Sequence, residues 1–387
     1  VSATFGDFTD GSETHTLVLT APADWTPTAL NGWTDNGDGT FSRTVTGGAF
    51  SGDGPTFDAP ADSDVDGAFS VVASAVEAEN GDTVTVSDST TVAVEAVADP
   101  VTVDITAPGI DEDGTVTPTV SATFGDFTDG SETHTLVLTA PADWTPTALN
   151  GWTDNGDGTF SRTVTGGAFS GDGPTFDAPA DSDVDGAFSV VASAIEAENG
   201  DTVTASASTT VAVEAVADPV TVDISAPGID EDGTVTPTVS ATFGDFTDGS
   251  ETHTLVLTAP ADWTPTALNG WTDNGDGTFS RTVSGGAFSG DGPTFDAPAD
   301  SDVDGAFSVV ASAVEAENGD TVTASDSTVV AVEAVADPVT VDISAPGIDE
   351  DGSVTPTVSA TFGDFTDGSE THTLVLTAPA DWTPTAL

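Results

Sequence analysis

Apolar residues alternate with hydroxylated or charged ones in short runs along this chain, and the runs come in a fixed order. In Val101-Thr102-Val103-Asp104-Ile105 every second residue is aliphatic, which predicts a half-buried strand. Comparable runs follow at 116–124, 133–139, 149–153, 159–164, 187–197 and 202–216, and in the second of these His134, Leu136 and Leu138 share one face. The runs 149–153 and 159–164 flank Asp154-Asn155-Gly156-Asp157-Gly158, a connection suited to a hairpin. From Gly166 to Gly186 the pattern gives way to Gly, Asp and Pro, which predicts a long loop. No run carries a helical period.

The whole order then repeats. Val1-Ser2-Ala3-Thr4-Phe5-Gly6 returns at Val120, Val239 and Val358, a period of 119 residues. That length falls in the usual domain range of about 100–150 residues, so each repeat is expected to own a core. Seven short strands per unit with turns between them predict an all-β fold, tandem immunoglobulin-like antiparallel sandwiches. The seam Ala98-Asp99-Pro100 recurs as Ala217-Asp218-Pro219 and Ala336-Asp337-Pro338. Proline withholds an N–H and keeps the preceding residue extended, so the seam marks the boundaries. The expected domains are 1–98 (lacking its first strand), 99–217, 218–336 and the start of another at 337–387. A chain that opens and closes within a domain reads as a window on a longer protein. No apolar run approaches the roughly 20 residues that span a bilayer, so no direct membrane insertion is expected.

Charge changes the picture most. Three basic residues against 66 acidic ones give a net charge of −63. Nucleic acid and anionic membrane surfaces are then poor partners, because phosphate binding needs clustered Lys and Arg. The basic residues are one position repeated, Arg43, Arg162 and Arg281, for which a salt bridge to a carboxylate is expected. A chain so charged stays disordered when it lacks apolar residues. Here 37% of residues are hydrophobic and they alternate, so folded domains are expected whose charge cations must offset. Cysteine is absent, which excludes disulfides and thiolate metal sites and leaves oxygen donors, the ligands of Ca²⁺.

Asp181-Ser182-Asp183-Val184-Asp185-Gly186 is the sharpest motif, and it recurs with Asp62, Asp64 and Asp66 and with Asp300, Asp302 and Asp304. It matches the first half of an EF-hand loop, but position twelve is Ala192 and a strand pattern follows where a helix belongs. The expectation is a Ca²⁺ loop of another type, completed by neighbouring loops; the alternative is a solvated loop with Asp as turn former. If the strands run alternately down and up, the seam at Asp218 gathers Asp111, Glu112, Asp113, Asp181, Asp183 and Asp185 from one domain. From the next it gathers Asp248, Glu251, Asp273, Asp276, Glu315, Glu317 and Asp320. Unit charges 4 Å apart cost about 4 kcal/mol at an effective dielectric of 20, so cations are expected to bridge them. The corresponding candidate ligands at the other seams are Asp99, Asp129, Glu132 and Glu196, and Asp230, Asp232 and Asp337. For Glu77, Glu196 and Glu315 the ligand and the solvated readings stand side by side.

The repeat also resembles the immunoglobulin-like or cadherin-like repeats of giant bacterial RTX adhesins exported by type I secretion. The residues that carry the resemblance are Asp129-Gly130-Ser131-Glu132-Thr133, Asn155-Gly156-Asp157-Gly158-Thr159, Pro179-Ala180-Asp181-Ser182-Asp183, Glu196 with Asn199-Gly200-Asp201-Thr202, and the seam Glu214-Ala215-Val216-Ala217-Asp218-Pro219. The resemblance implies an extracellular segment at a bacterial cell surface that Ca²⁺ stiffens and that holds an adhesive tip away from the cell, in adhesion or biofilm formation. The nonapeptides of the RTX secretion signal are absent from this sequence.

Other residues read more plainly. His15, His134, His253 and His372 fall in phase with core leucines, as core histidines do. Trp144, Trp152 and Phe160 could form a sugar-binding platform, but aromatics flanking a hairpin more often pack across strands. No nucleophile, base and orienting acid stand at a defined spacing, so no enzyme is expected. The change from Asp88 to Ala207 to Asp326 between repeats argues against that carboxylate as an essential ligand. The expected function is a structural extender; a fibre or surface layer with lateral self-association, and a glycan-binding module, are the alternatives.

Overall fold

Strand alternation is realised as burial alternation in the core strands of the computed structural model, which describes residues 1–127, 130–246, 249–363, 368 and 370–385. Among the described residues there is no helix. The chain forms two compact units, one of residues 1–110, 114–179 and 184–212, the other of 111–113, 180–183 and 213–387.

In the first unit a five-stranded sheet runs in the order Thr153–Asp154, Thr159–Val164, Glu132–Thr139, Gly186–Glu196, Thr202–Val211. Opposite it, Val101–Thr106, Thr119–Phe124 and Ala168–Asp172 form a second antiparallel sheet, and Thr115–Val116, Thr175–Asp177 and Thr145–Ala148 a third. Leu136, Leu138, Phe188 and Val190 on one side meet Val120, Ala122, Phe124 and Phe176 on the other, all buried. Full burial of side chains of this size contributes about 1.5–3 kcal/mol each, which makes the interlayer the main source of stability. In residues 1–98 the edge strand Thr83–Val92 is exposed along its whole length; its counterpart Thr202–Val211 lies beside Val101–Thr106 and is half covered at every second position.

The second unit repeats the sandwich. Its five-stranded sheet is ordered Thr272–Asp273, Thr278–Val283, Glu251–Thr258, Gly305–Glu315, Thr321–Val330, faced by Val220–Ser225, Thr238–Phe243 and Ala287–Asp291. One continuous cluster from Val220 to Val332 fills the space between. Ile229–Asp230 pairs with Val332–Glu333 in parallel; the Ile229 N–H donates to the Ala331 carbonyl and the Glu231 N–H to the Glu333 carbonyl, each at 2.9 Å.

Several expectations need correction. The run 116–124 breaks at Thr117-Pro118, where proline has no donor for the ladder. A strand over 149–153 is not formed, because Asn150 and Gly151 take left-handed φ values of 50° and 84° and turn the chain. The long loop 166–186 contains two strands, drawn in by Phe169 and the fully buried Phe176. Gly186 is no turn residue but opens a strand beneath the Trp144 ring, where a Cβ would stand 2.5 Å from Cζ2. Trp144 and Trp152 are core residues, packed edge-on to Phe188 and Phe169, so they offer no exposed platform for a sugar. Arg162 stacks over Phe169 at 4.6 Å and donates to the Asn150 carbonyl at 3.0 Å instead of joining a carboxylate.

Candidate metal centres

Three strands carry their inward parity past the end of the core, and each then presents a carboxylate. In Glu132–Thr139 the buried residues are His134, Leu136 and Leu138, and Glu132 is next in phase. In Gly186–Glu196 they are Phe188, Val190, Ala192 and Ala194, followed by Glu196 at 3% exposure. Beyond Thr119–Phe124 the same parity reaches Asp126, also buried. The counterparts in the second unit are Glu251, Glu315 and Asp245, whose carboxylate oxygens lie within 4.8 Å of one another.

His253 explains why Glu251 points inward. Its ring stacks on Phe243 with centroids 4.3 Å apart, and its Nε2 donates to Glu251 Oε2 at 2.7 Å. Glu251 Oε1 accepts the backbone N–H of the linker residue Asp218 at 2.8 Å. The same relay recurs as His134–Glu132–Asp99 and His372–Glu370–Asp337. The linker is held on its other side too, since Asn318 Nδ2 donates to the Ala215 carbonyl at 2.7 Å. Asp218 packs on Gly244, where a Cβ would stand 2.8 Å from its own Cβ, so the linker lies in a place only glycine leaves open.

The loop 111–113 supplies the deepest group. Glu112 Oε1 accepts the Val216 N–H at 2.7 Å, while its Oε2 is buried without a hydrogen-bond partner. Glu231 repeats this with the Val335 N–H at 2.6 Å and a partnerless Oε2. Burial is the main reason that the Glu112 carboxyl is raised to about 7; the Val216 bond works against it, and Asp218, Asp245 and Asp113 add repulsion. Asp218 is raised as well, by burial first and then by Asp181, Asp113, Glu251 and Asp245. Asp181 has a left-handed φ of 51°, and its N–H donates to Asp113 Oδ1 at 3.0 Å, which ties the two acidic loops together. In the same way the Asp300 N–H donates to Asp232 Oδ1 at 3.0 Å, and Asp232, Asp300 and Asp337 bring oxygens within 4.8 Å. In the first unit a cleft of about 200 Å³ is lined by Asp62, Asp64, Glu95, Asp99, Asp126 and Glu196 among others.

The remaining candidates are placed differently. Asp66 and Asp304 spend an oxygen on the N–H groups of Val94 and Val332, holding the chain just past the edge strands Thr83–Val92 and Thr321–Val330. Asp185 and Asp302 are exposed and Asp183 is half-buried. Asp111 and Asp230 are exposed; it is the residue after each, Glu112 and Glu231, that turns inward. Glu77 stands opposite Glu13 in register, and burial and then that charge raise its carboxyl. Asp129 and Asp248 lie outside the described residues. Asp273 and Asp276 do not join the cluster as expected, because their hairpin adjoins Thr258, at the end of Glu251–Thr258 away from Glu251. Asp126 and Asp245 were absent from the expectation, although the parity of Val120, Ala122 and Phe124 points to the first of them.

The result is a set of oxygen donors held by backbone and histidine contacts around each seam linker, chemistry that suits a hard cation. Neither a protein-family model nor a curated protein matches the chain. Among solved structures it is similar to Escherichia coli alpha-2-macroglobulin activated by porcine elastase, at 14% identity over 86% of this chain and a TM-score of 0.22. The chain spans 30% of the length of that protein. It is also similar to the E. coli adhesin FdeC (19% identity, 86% of this chain and 96% of that one, TM-score 0.21). A third similarity is to the collagen adhesin CNA of S. aureus (10% identity, 68% and 95%, TM-score 0.21). Likenesses this shallow leave the function to be read from the chain's own carboxylates.

Proposed function

We propose that this chain is a non-catalytic extender segment of a large extracellular adhesin at a bacterial cell surface, in which Ca²⁺ bound at the seam clusters stiffens successive immunoglobulin-like domains. The observation that carries the reading is Glu112, a buried carboxylate with one oxygen committed to the linker backbone and the other left without a hydrogen-bond partner beside Asp113, Asp218 and Asp245. A buried anion in that position costs several kcal/mol unless a cation neutralises it. The donor set fits Ca²⁺, which takes six to eight oxygens in flexible geometry, and it fits soft metals poorly. Glu112, Asp113, Asp181, Asp218, Asp245, Glu251 and Glu315 would hold the ion or ions, and the matching residues would serve the other seams. Bound there, Ca²⁺ would tie the linker to the loops on either side of it. Export by type I secretion and a part in biofilm formation belong to the same reading.

Small-angle X-ray scattering on the full chain with Ca²⁺ and then with excess chelator tests it, together with calorimetric titration of Ca²⁺. A fixed maximum dimension with Ca²⁺ that is lost on chelation supports the extender. Identical scattering in both conditions, with no binding heat, would reduce the clusters to solvated acidic surface.

A further inference from the structure

The outward face of the five-stranded sheet bears no charged side chain, in a protein with 66 acidic residues among 387. In the first unit the outward positions are every second residue from Thr133, Thr159, Ala187 and Thr202, and all are Thr, Ser, Val, Ile or Ala. The same holds 119 residues earlier and 119 later. The opposite sheet differs, since Asp104 and Asp223 stand exposed on its strands. Depletion of Asp in strands is ordinary, but Asp104 shows that this fold admits one on an exposed strand face.

The neutral face is also prepared for contact. Val137 and Val191 are directly opposed, and Val191 is 39% exposed. Thr135 and Ser193 hydrogen-bond to each other at 2.7 Å, as Thr254 and Ser312 do at 2.6 Å. Hydroxyls already paired within the sheet lose less when water leaves, so covering this face costs little.

We propose that this face is where two copies of the chain meet side by side. Charge selects the occupant. Each copy carries −63, and contact through the opposite sheet would bring Asp104 and Asp223 into the interface, whereas this face brings no carboxylate into the contact itself. Four strands spaced about 4.8 Å apart and about eight residues long at 3.3 Å rise present roughly 500 Å² per repeat. A stable interface takes about 800 Å² from each partner, more than the face of one repeat presents, so a lone repeat is expected to associate weakly. Association therefore strengthens with the number of repeats engaged.

Sedimentation velocity on the full chain, in constant Ca²⁺ over a series of concentrations, tests this. The expected result is a monomer–dimer equilibrium that tightens as NaCl is raised to about 0.5 M, because salt screens the repulsion between copies. Val72→Glu, Val191→Glu and Val310→Glu together should raise the dissociation constant at least about tenfold, with circular dichroism reporting that the fold is kept. Should that variant misfold, Thr85→Glu, Thr204→Glu and Thr323→Glu, at exposed positions of the same face, make the same test. Thr106→Glu with Ser225→Glu, on the opposite sheet, should leave association unchanged. A chain that stays monomeric across the series, association that weakens with salt, or equal weakening by variants of both sheets would overturn the proposal.

Discussion

His253 Nε2 donates to Glu251 Oε2 at 2.7 Å, so a core histidine and a seam carboxylate form one unit. Because the other oxygen of Glu251 holds the Asp218 N–H, the ring stack on Phe243 reaches the linker through two hydrogen bonds. Replacing His253 by Ala should cost about 2–4 kcal/mol from the cavity and the lost bond. It should also weaken Ca²⁺ binding about tenfold, as loss of an outer partner of a ligand does. Chemical denaturation and calorimetric titration read the two effects separately, and full Ca²⁺ affinity in a destabilised variant would show that the histidine serves the core alone.

Glu112 sets a pH dependence whose sign is fixed. Its carboxyl is raised to about 7 in the fold, against 4.5 in the unfolded chain, so the native state holds the proton more tightly. Without metal, stability should therefore fall as pH rises from about 4.5 to about 7, by up to about 3 kcal/mol from this group. With saturating Ca²⁺ that loss should disappear or reverse, because the ion takes the place of the proton. Melting temperature against pH, with Ca²⁺ and with chelator, gives both curves; parallel curves would contradict the assignment.

Glu112→Gln should separate stability from binding. The amide oxygen keeps the Val216 N–H bond and the charge is removed, so the metal-free protein at pH 8 should be more stable than wild type. The same variant should bind Ca²⁺ more weakly. A variant that loses stability in chelator would mean that Oε2 has a favourable partner in solution.

Gly186→Ala should destabilise by about 1–3 kcal/mol, since its methyl would meet the Trp144 ring and force it to shift. Near-ultraviolet circular dichroism should change with it. An unchanged melting temperature would show that the Trp144 ring moves aside freely.

Asp326→Ala should lower the melting temperature slightly and leave Ca²⁺ affinity alone. Its Oδ2 accepts the Ile224 N–H at 2.9 Å, a bond that the repeat with Ala207 does without. A fall in affinity would make this carboxylate part of a metal site after all.

The alternation of Leu136, Leu138 and Val190 made the sandwich legible, because burial in a sheet follows parity along each strand. Followed past the last apolar residue of Thr119–Phe124, the same parity points to Asp126. The acidic motif at Asp181 drew attention to charge density, yet density does not tell Asp181, which faces the cluster, from Asp66 and Asp304, which hold backbone N–H groups. The residue pattern over 268–272 reads as a strand and so puts the hairpin carrying Asp273 at the seam end, but Asn269 and Gly270 turn the chain there and leave it at the other end. The glycine contacts with Trp144 and Asp218 had no local signal, since they depend on which distant residue arrives.

The parallel pairing of Ile229–Asp230 with Val332–Glu333 has a mechanical consequence. One strand belongs to the segment that enters the domain and the other to the segment that leaves it. A tensile force applied through the two ends drags them past each other lengthwise. The bonds from Ile229 to Ala331, from Glu231 to Glu333 and from Val335 to Glu231 Oε1 are then loaded in shear, as a group, rather than peeled open in turn. Such a domain yields late to a pull along the chain, because these bonds have to break together.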